Sequence, residues 1–154
     1  MRLWVTALAI CLAVIAAAGT ESATPMAQAA GLYQKTEYLA ALKVLSGIHT
    51  KDARVHELMG KCYYRLDDFK KAGESFERAS ALEPRNAQYY LWVGRSFGRR
   101  AATSSFLTAP GYASQARQYF EKSVALDPGN LEAMNDLFEY YLQAPGFLGG
   151  GLDK

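Results

Sequence analysis

The chain has 154 residues, half of them apolar and 21% charged, with a formal net charge of +2. That balance excludes an intrinsically disordered chain and suits one domain with a short targeting segment. It also excludes the strongly basic face of nucleic-acid binders, so no nucleic-acid partner is expected.

The chain opens on a positive end, Met1-Arg2, followed by an uncharged run, "LWVTALAICLAVIAAA", from Leu3 to Ala18. Small residues close it at Ala16, Ala17, Ala18 and Gly19. This is the plan of a secretory signal peptide, and the run is shorter than the ~20 residues a spanning helix needs. Residues 1–18 are therefore expected to be a signal-peptide helix that directs export to the periplasm or beyond. The alternative is an uncleaved N-terminal anchor, the one case in which a membrane contact is expected. Cys11 follows Ile10 in mid-run, which does not suit lipid attachment. Cleavage leaves Cys62 as the sole cysteine, so no intramolecular disulfide is expected.

Amphipathic segments then follow in order. "GLYQKTEYLAALKVLSGI" begins at Gly31 and "ARVHELMGKCYYRL" at Ala53. Next come "AGESFERASALEPRN" from Ala72 and "AQYYLWVGRSFGRR" from Ala87. "ARQYFEKSVALDPGN" from Ala116 and "LEAMNDLFEYYLQ" from Leu131 complete the set. The stretches from Ala72 and Ala116 share alanine, an aromatic four residues on, then a small residue and Ala-Leu-acid-Pro. Apolar spacing predicts a helix in each, stopped by its proline. Counting back from Pro84 defines a unit, Ala53 to Asn86, that carries Gly60, Tyr63, Ala72, Phe76, Ala79 and Pro84. Gly60 and Ala72 allow two antiparallel helices to approach closely, and the aromatics fill the space around that contact.

These six positions resemble the tetratricopeptide repeat family. The resemblance implies an all-α fold, an α-solenoid of about three and a half antiparallel helical hairpins over residues 24–154. Its units fall at about 24–52, 53–86, 87–130 and 131–154, the last incomplete. The third unit matches through Gly94, Phe97, Ala116, Phe120, Ser123 and Pro128, with Ser123 in place of alanine. It exceeds the period by ten residues, and the surplus is expected as a long loop within 101–115. Phe106, Leu107 and Tyr112 of that loop are expected to fold back and seal the helix ends. The first unit is degenerate, with Tyr38 and Ala41 in register.

The closing "QAPGFLGGGLDK" shares Ala-Pro-Gly-aromatic with "TAPGYASQA" from Thr108, and is expected to be the turn inside a fourth hairpin. A phosphate loop needs Gly-Lys-Ser/Thr after a strand, which this segment lacks. The apolar stripe of Leu131, Met134, Leu137, Phe138 and Tyr141 would need cover on two sides. The chain is therefore expected to be an N-terminal fragment, resembling secreted bacterial repeat proteins.

No catalytic constellation, cofactor site or metal site is expected, and the chain is not read as an enzyme. His49 and His56 are read as solvated residues at a junction, and Cys62 as a packed thiol. The resemblance implies instead a concave groove lined by the first helix of each hairpin. Its candidate residues are Arg54, Lys61, Tyr64 and Arg65, then Leu91, Arg95 and Arg99, then Asn135 and Glu139. Lys61, Arg65, Arg95 and Arg99 form an expected basic strip around Tyr64, suited to a protein or peptide ligand with acidic groups. Glu57 stands where the carboxylate clamp of heat-shock co-chaperones carries lysine, so chaperone C-termini are not expected ligands. The implied function is an exported protein-interaction scaffold. The alternative is a docking module of a longer enzyme or of a membrane-anchored assembly factor.

Overall fold

A computed structural model describes residues 24–148 and 150–151; the expected signal segment, 1–18, lies outside them. The described residues form seven α-helices: α1 (Pro25–Gln34), α2 (Tyr38–Ser46), α3 (Ala53–Arg65), α4 (Phe69–Leu82), α5 (Ala87–Thr103), α6 (Ala109–Leu126) and α7 (Leu131–Gln143). A 3-10 turn, Gly146–Leu148, follows. Polar side chains fix most helix starts by accepting a backbone N–H that the first turn leaves unpaired. Thr24 caps α1, Asp52 caps α3, Asp68 caps α4, Asn86 caps α5 and Asn130 caps α7.

The first two hairpins turn in the same way. Thr36 and Asp67 adopt left-handed backbone at φ 63° and 59°. The next residue's N–H then reaches back to close the helix end, from Glu37 to the Leu32 carbonyl and from Asp68 to that of Tyr63. That shared turn marks residues 25–46 as a true hairpin despite the weak sequence match. Consecutive helices pack as α1–α2, α3–α4 and α5–α6 hairpins, and α1–α3 and α5–α7 also touch. Tyr64 of α3 meets Trp92 of α5, so the odd-numbered helices form a row along one face, the arrangement of a solenoid.

The seam rests on two glycine–phenylalanine contacts. A Cβ placed on Gly60 would lie 2.8 Å from the Phe76 ring, and one on Gly94 2.6 Å from the Phe120 ring. Phe76 is fully buried and stacks on Trp92, ring centroids 5.4 Å apart. Ser123, the departure from alanine, is also fully buried, and its hydroxyl donates to the Ala87 carbonyl at 2.8 Å. The substitution thus adds a tie between α6 and the start of α5.

Three expectations are corrected. The surplus of the third unit is not a long loop: it lengthens α5 to 17 residues and α6 to 18. Only Ser104–Thr108 remains between them, because Ala-Pro-Gly at 109–111 opens α6, where proline fits the first helical turn. Only part of the sealing occurs. Tyr112 packs against Phe97, while Phe106 and Leu107 stay 83% and 76% exposed. The second Ala-Pro-Gly, at 144–146, instead ends α7, and the two motifs do not share a register.

Candidate functional site: the row of odd-numbered helices

The predicted groove residues sit on α3, α5 and α7, and Tyr64 is at their centre. Its ring meets Phe69 and Trp92 edge-on, each at 5.3 Å between centroids. Arg95 lies over Trp92 at 5.0 Å and Arg99 over Phe69 at 4.9 Å. The result is an aromatic floor of Tyr64, Phe69 and Trp92 with two guanidinium groups laid across it. Burial raises the Tyr64 phenol pKa, an effect partly offset by Arg99 and Arg95.

The cations of the expected strip are mostly paired within the protein. Arg95 donates to Asp136 at 2.5 Å and reaches Glu132 at 3.1 Å, which ties α5 to α7. Burial opposes its charge, but Asp136 and Glu132 together prevail and hold the pKa above the ordinary guanidinium value. Lys61 pairs with Glu57 one turn earlier at 2.5 Å, and Glu57 also accepts from Tyr89 of α5 at 3.5 Å. Arg54 folds onto its own cap residue, Asp52, at 2.6 Å. Arg99 is half exposed and only loosely held by Asp67, at 3.9 Å. Exposed Arg65 donates to Tyr33 of α1 at 3.5 Å. Arg65 and Arg99 are therefore the cations left most available to a ligand.

Leu91 requires correction. Its side chain is fully buried in the core with Phe76 and Val93, so it supports the face without lining it. Packing of α5 on both α4 and α6 buries this position. Asn135 and Glu139 are exposed on α7, and the amide of the first donates to the carboxylate of the second at 3.4 Å. Asp136, Phe69 and Trp92 belong to the face but were not among its expected residues. Trp92 carried a usable signal: it lies three residues before Arg95 on α5, so helical geometry stacks the cation over the ring. Asp136 carried no such signal, because its pairing depends on how closely α7 approaches α5.

The other candidates are structural. Cys62 is fully buried, and burial pushes its thiol up to about 11, which leaves little reactive thiolate near neutrality. Among the described residues, no three His, Cys, Asp or Glu side chains gather as a metal site would require. His49 is exposed, whereas the His56 Nδ1 is buried without a hydrogen-bond partner. Burial, then Arg78, lowers the His56 pKa below its usual 6.5. Protonation therefore favours the unfolded chain: this stability is present above pH 6.5 and is lost as pH falls through the folded value. Melting temperature is expected to drop between about pH 7 and pH 5, and less steeply in His56→Gln. Parallel curves for the two proteins would remove His56 from that account.

Residues 53–86 match the family model for the tetratricopeptide repeat. The first TPR of Spaghetti (RPAP3), bound to the HSP90 peptide SRMEEVD, superposes with a TM-score of 0.63 at 18% identity. That match covers 75% of this chain and 86% of the other. The second TPR domain of human RPAP3, in complex with the HSP70 peptide SGPTIEEVD, gives 0.63 at 19% identity, over 75% and 91%. Residues 53–86 are thus a tetratricopeptide repeat, and the described helices share the fold of TPR domains. Among curated relatives of the chain, bovine intraflagellar transport protein 70A is 28% identical over 130 residues. Human intraflagellar transport protein 70B is 28% identical over 129 residues. These matches take in 78% and 77% of this chain but only 19% of either relative. The chain thus spans about a fifth of the length of these relatives. Both are mammalian proteins, not the secreted bacterial proteins expected from the closing segment.

Proposed function

We propose that this TPR array is an exported scaffold, without catalytic activity, that holds a peptide segment bearing acidic groups across its row of odd-numbered helices. The carrying observation is the part-exposed pair Tyr64 and Trp92, backed by buried Phe69, beside the two most available cations, Arg65 and Arg99. Flat rings supply contact area at low entropy cost, and guanidinium groups grip carboxylates in forked geometry. The similar RPAP3 domains hold peptides that end in EEVD, which supports a peptide ligand of this charge. Glu57, paired with Lys61, makes this face differ from a purely basic groove.

The test is binding of fluorescent acidic heptapeptides to the wild type and to Arg65→Glu/Arg99→Glu. The double variant is expected to lose about tenfold in affinity, and the wild-type affinity is expected to fall with salt. Equal affinities for the two proteins would sink the assignment. Arg95 is unsuitable for this test because its loss would also unfasten α7. Export rests on the character of residues 1–18, and mass spectrometry of the secreted protein should find a mature N-terminus near Gly19. A second reading, a docking module within a longer protein, is favoured by the much greater length of the matched relatives.

A further inference from the structure

The lengthening of the third hairpin puts an apolar point on one edge of the array. Arg99 lies over the ring of Phe69, the first residue of α4, and faces Asp67 in the α3–α4 turn. That contact marks where α5 draws level with the neighbouring turn. Beyond it α5 runs four more residues, Arg100 to Thr103. On the return, α6 begins eleven residues before Phe120, whereas α4 begins seven before Phe76. Both helices thus gain a turn at the same end, and the loop between them stands about 6 Å past the α3–α4 turn.

Phe106 and Leu107 are the tip of that loop, both largely exposed, with Ser104, Ser105 and Thr108 around them. The Thr108 and Ala109 N–H groups donate to the Ser105 carbonyl at 3.0 and 2.9 Å, so the tip is a closed turn. Between Glu83 and Glu121 the sequence has no Asp or Glu, and its charged residues are Arg85, Arg95, Arg99, Arg100 and Arg117. Arg100 lies over the rings of Phe97 and Tyr112 and meets no carboxylate among the described residues. On the neighbouring turn Asp68 is taken up by Lys71, at 2.8 Å, and Asp67 faces Arg99. Lys35 and Glu37 of the α1–α2 turn cancel. Arg100, Lys70 and Arg65 are left in excess behind the tip.

Two side chains on so short a loop fall well below the about 800 Å² per partner of a standard protein interface. Two copies meeting tip to tip would oppose their arginines. A bilayer asks only for a protruding apolar point with cations behind it. We propose that the α5–α6 tip is a lipid-contact element. Phe106 and Leu107 enter the headgroup region of a bilayer rich in anionic phospholipid, and Arg100, Lys70 and Arg65 face its phosphates. The contact is weak and reversible, and it orients the array on the surface.

The test uses vesicles of phosphatidylcholine alone or of equal parts phosphatidylcholine and phosphatidylglycerol. In the full chain, Trp4→Phe/Leu107→Trp places a reporter at the tip, and Trp4→Phe alone gives the baseline. Brominated lipid in the anionic vesicles is expected to quench the tip reporter and to leave the baseline unchanged. In the form beginning at Gly19, Phe106→Ser/Leu107→Ser is expected to weaken vesicle binding about tenfold. Wild-type binding to the anionic vesicles is expected to fall as salt rises. No quenching beyond the baseline overturns the proposal, even where residues 1–18 hold the chain on the bilayer. Equal binding to neutral and anionic vesicles overturns it too. So does a dimer or a protein complex that Phe106→Ser/Leu107→Ser abolishes while vesicle binding persists. The same double variant is expected to keep its affinity for acidic heptapeptides, so this proposal and the acidic-peptide reading fail separately.

Discussion

Phe76→Ala is expected to destabilise the protein by about 3–5 kcal/mol, the range for emptying a buried aromatic site. Phe76 is fully buried, covers Gly60 and stacks on Trp92, so its loss opens the seam between α3 and α4 and loosens the floor beneath Tyr64. The flanking groups cannot easily close the space, because Gly60 has no side chain to move into it. Urea denaturation should show an earlier midpoint with an unchanged slope. A shift of less than about 1 kcal/mol would mean that the seam collapses readily and is not the centre of the hairpin.

Gly94→Ala is expected to cost about 1–3 kcal/mol, even though alanine is the better helix former by about 1 kcal/mol. The new methyl would meet Phe120 at 2.6 Å and the Ala116 carbonyl oxygen at 3.2 Å, and the backbone atom cannot rotate away. Gly98→Ala, one turn further along the same helix, is the control. Nothing lies within 4 Å of its added methyl, so only the propensity gain remains. Gly94→Ala should melt below the wild type and Gly98→Ala at or above it. The same sign for both would show that sterics at the seam do not decide the matter.

These two sites were legible in the sequence because they are set by size. A glycine or alanine recurring opposite an aromatic at fixed spacing states a helix–helix distance, and Gly60, Ala72, Phe76, Gly94, Ala116 and Phe120 all state the same one. Ser123 was legible as a small residue, but not as a donor to Ala87, since its partner lies on another helix. The groove was less legible. The resemblance to the repeat family pointed to Tyr64 and its neighbours, yet charge alone suggested a free basic strip where Arg95 is bound to Asp136 and Glu132. Leu91 failed for a related reason: its exposure depends on how α5 nests between α4 and α6, which no local pattern encodes. The surplus residues of the third unit misled because an excess over the repeat period suggested a loop, whereas it extends α5 and α6 and the proline opens α6.

The packing of each hairpin mainly on its neighbours in the chain also has a kinetic consequence. Closing such contacts costs little chain entropy, so folding can start within any one hairpin and spread by accretion. The long α5–α6 pair is the natural seed, and the short α1–α2 pair, of ten and nine residues, is the place where unzipping begins.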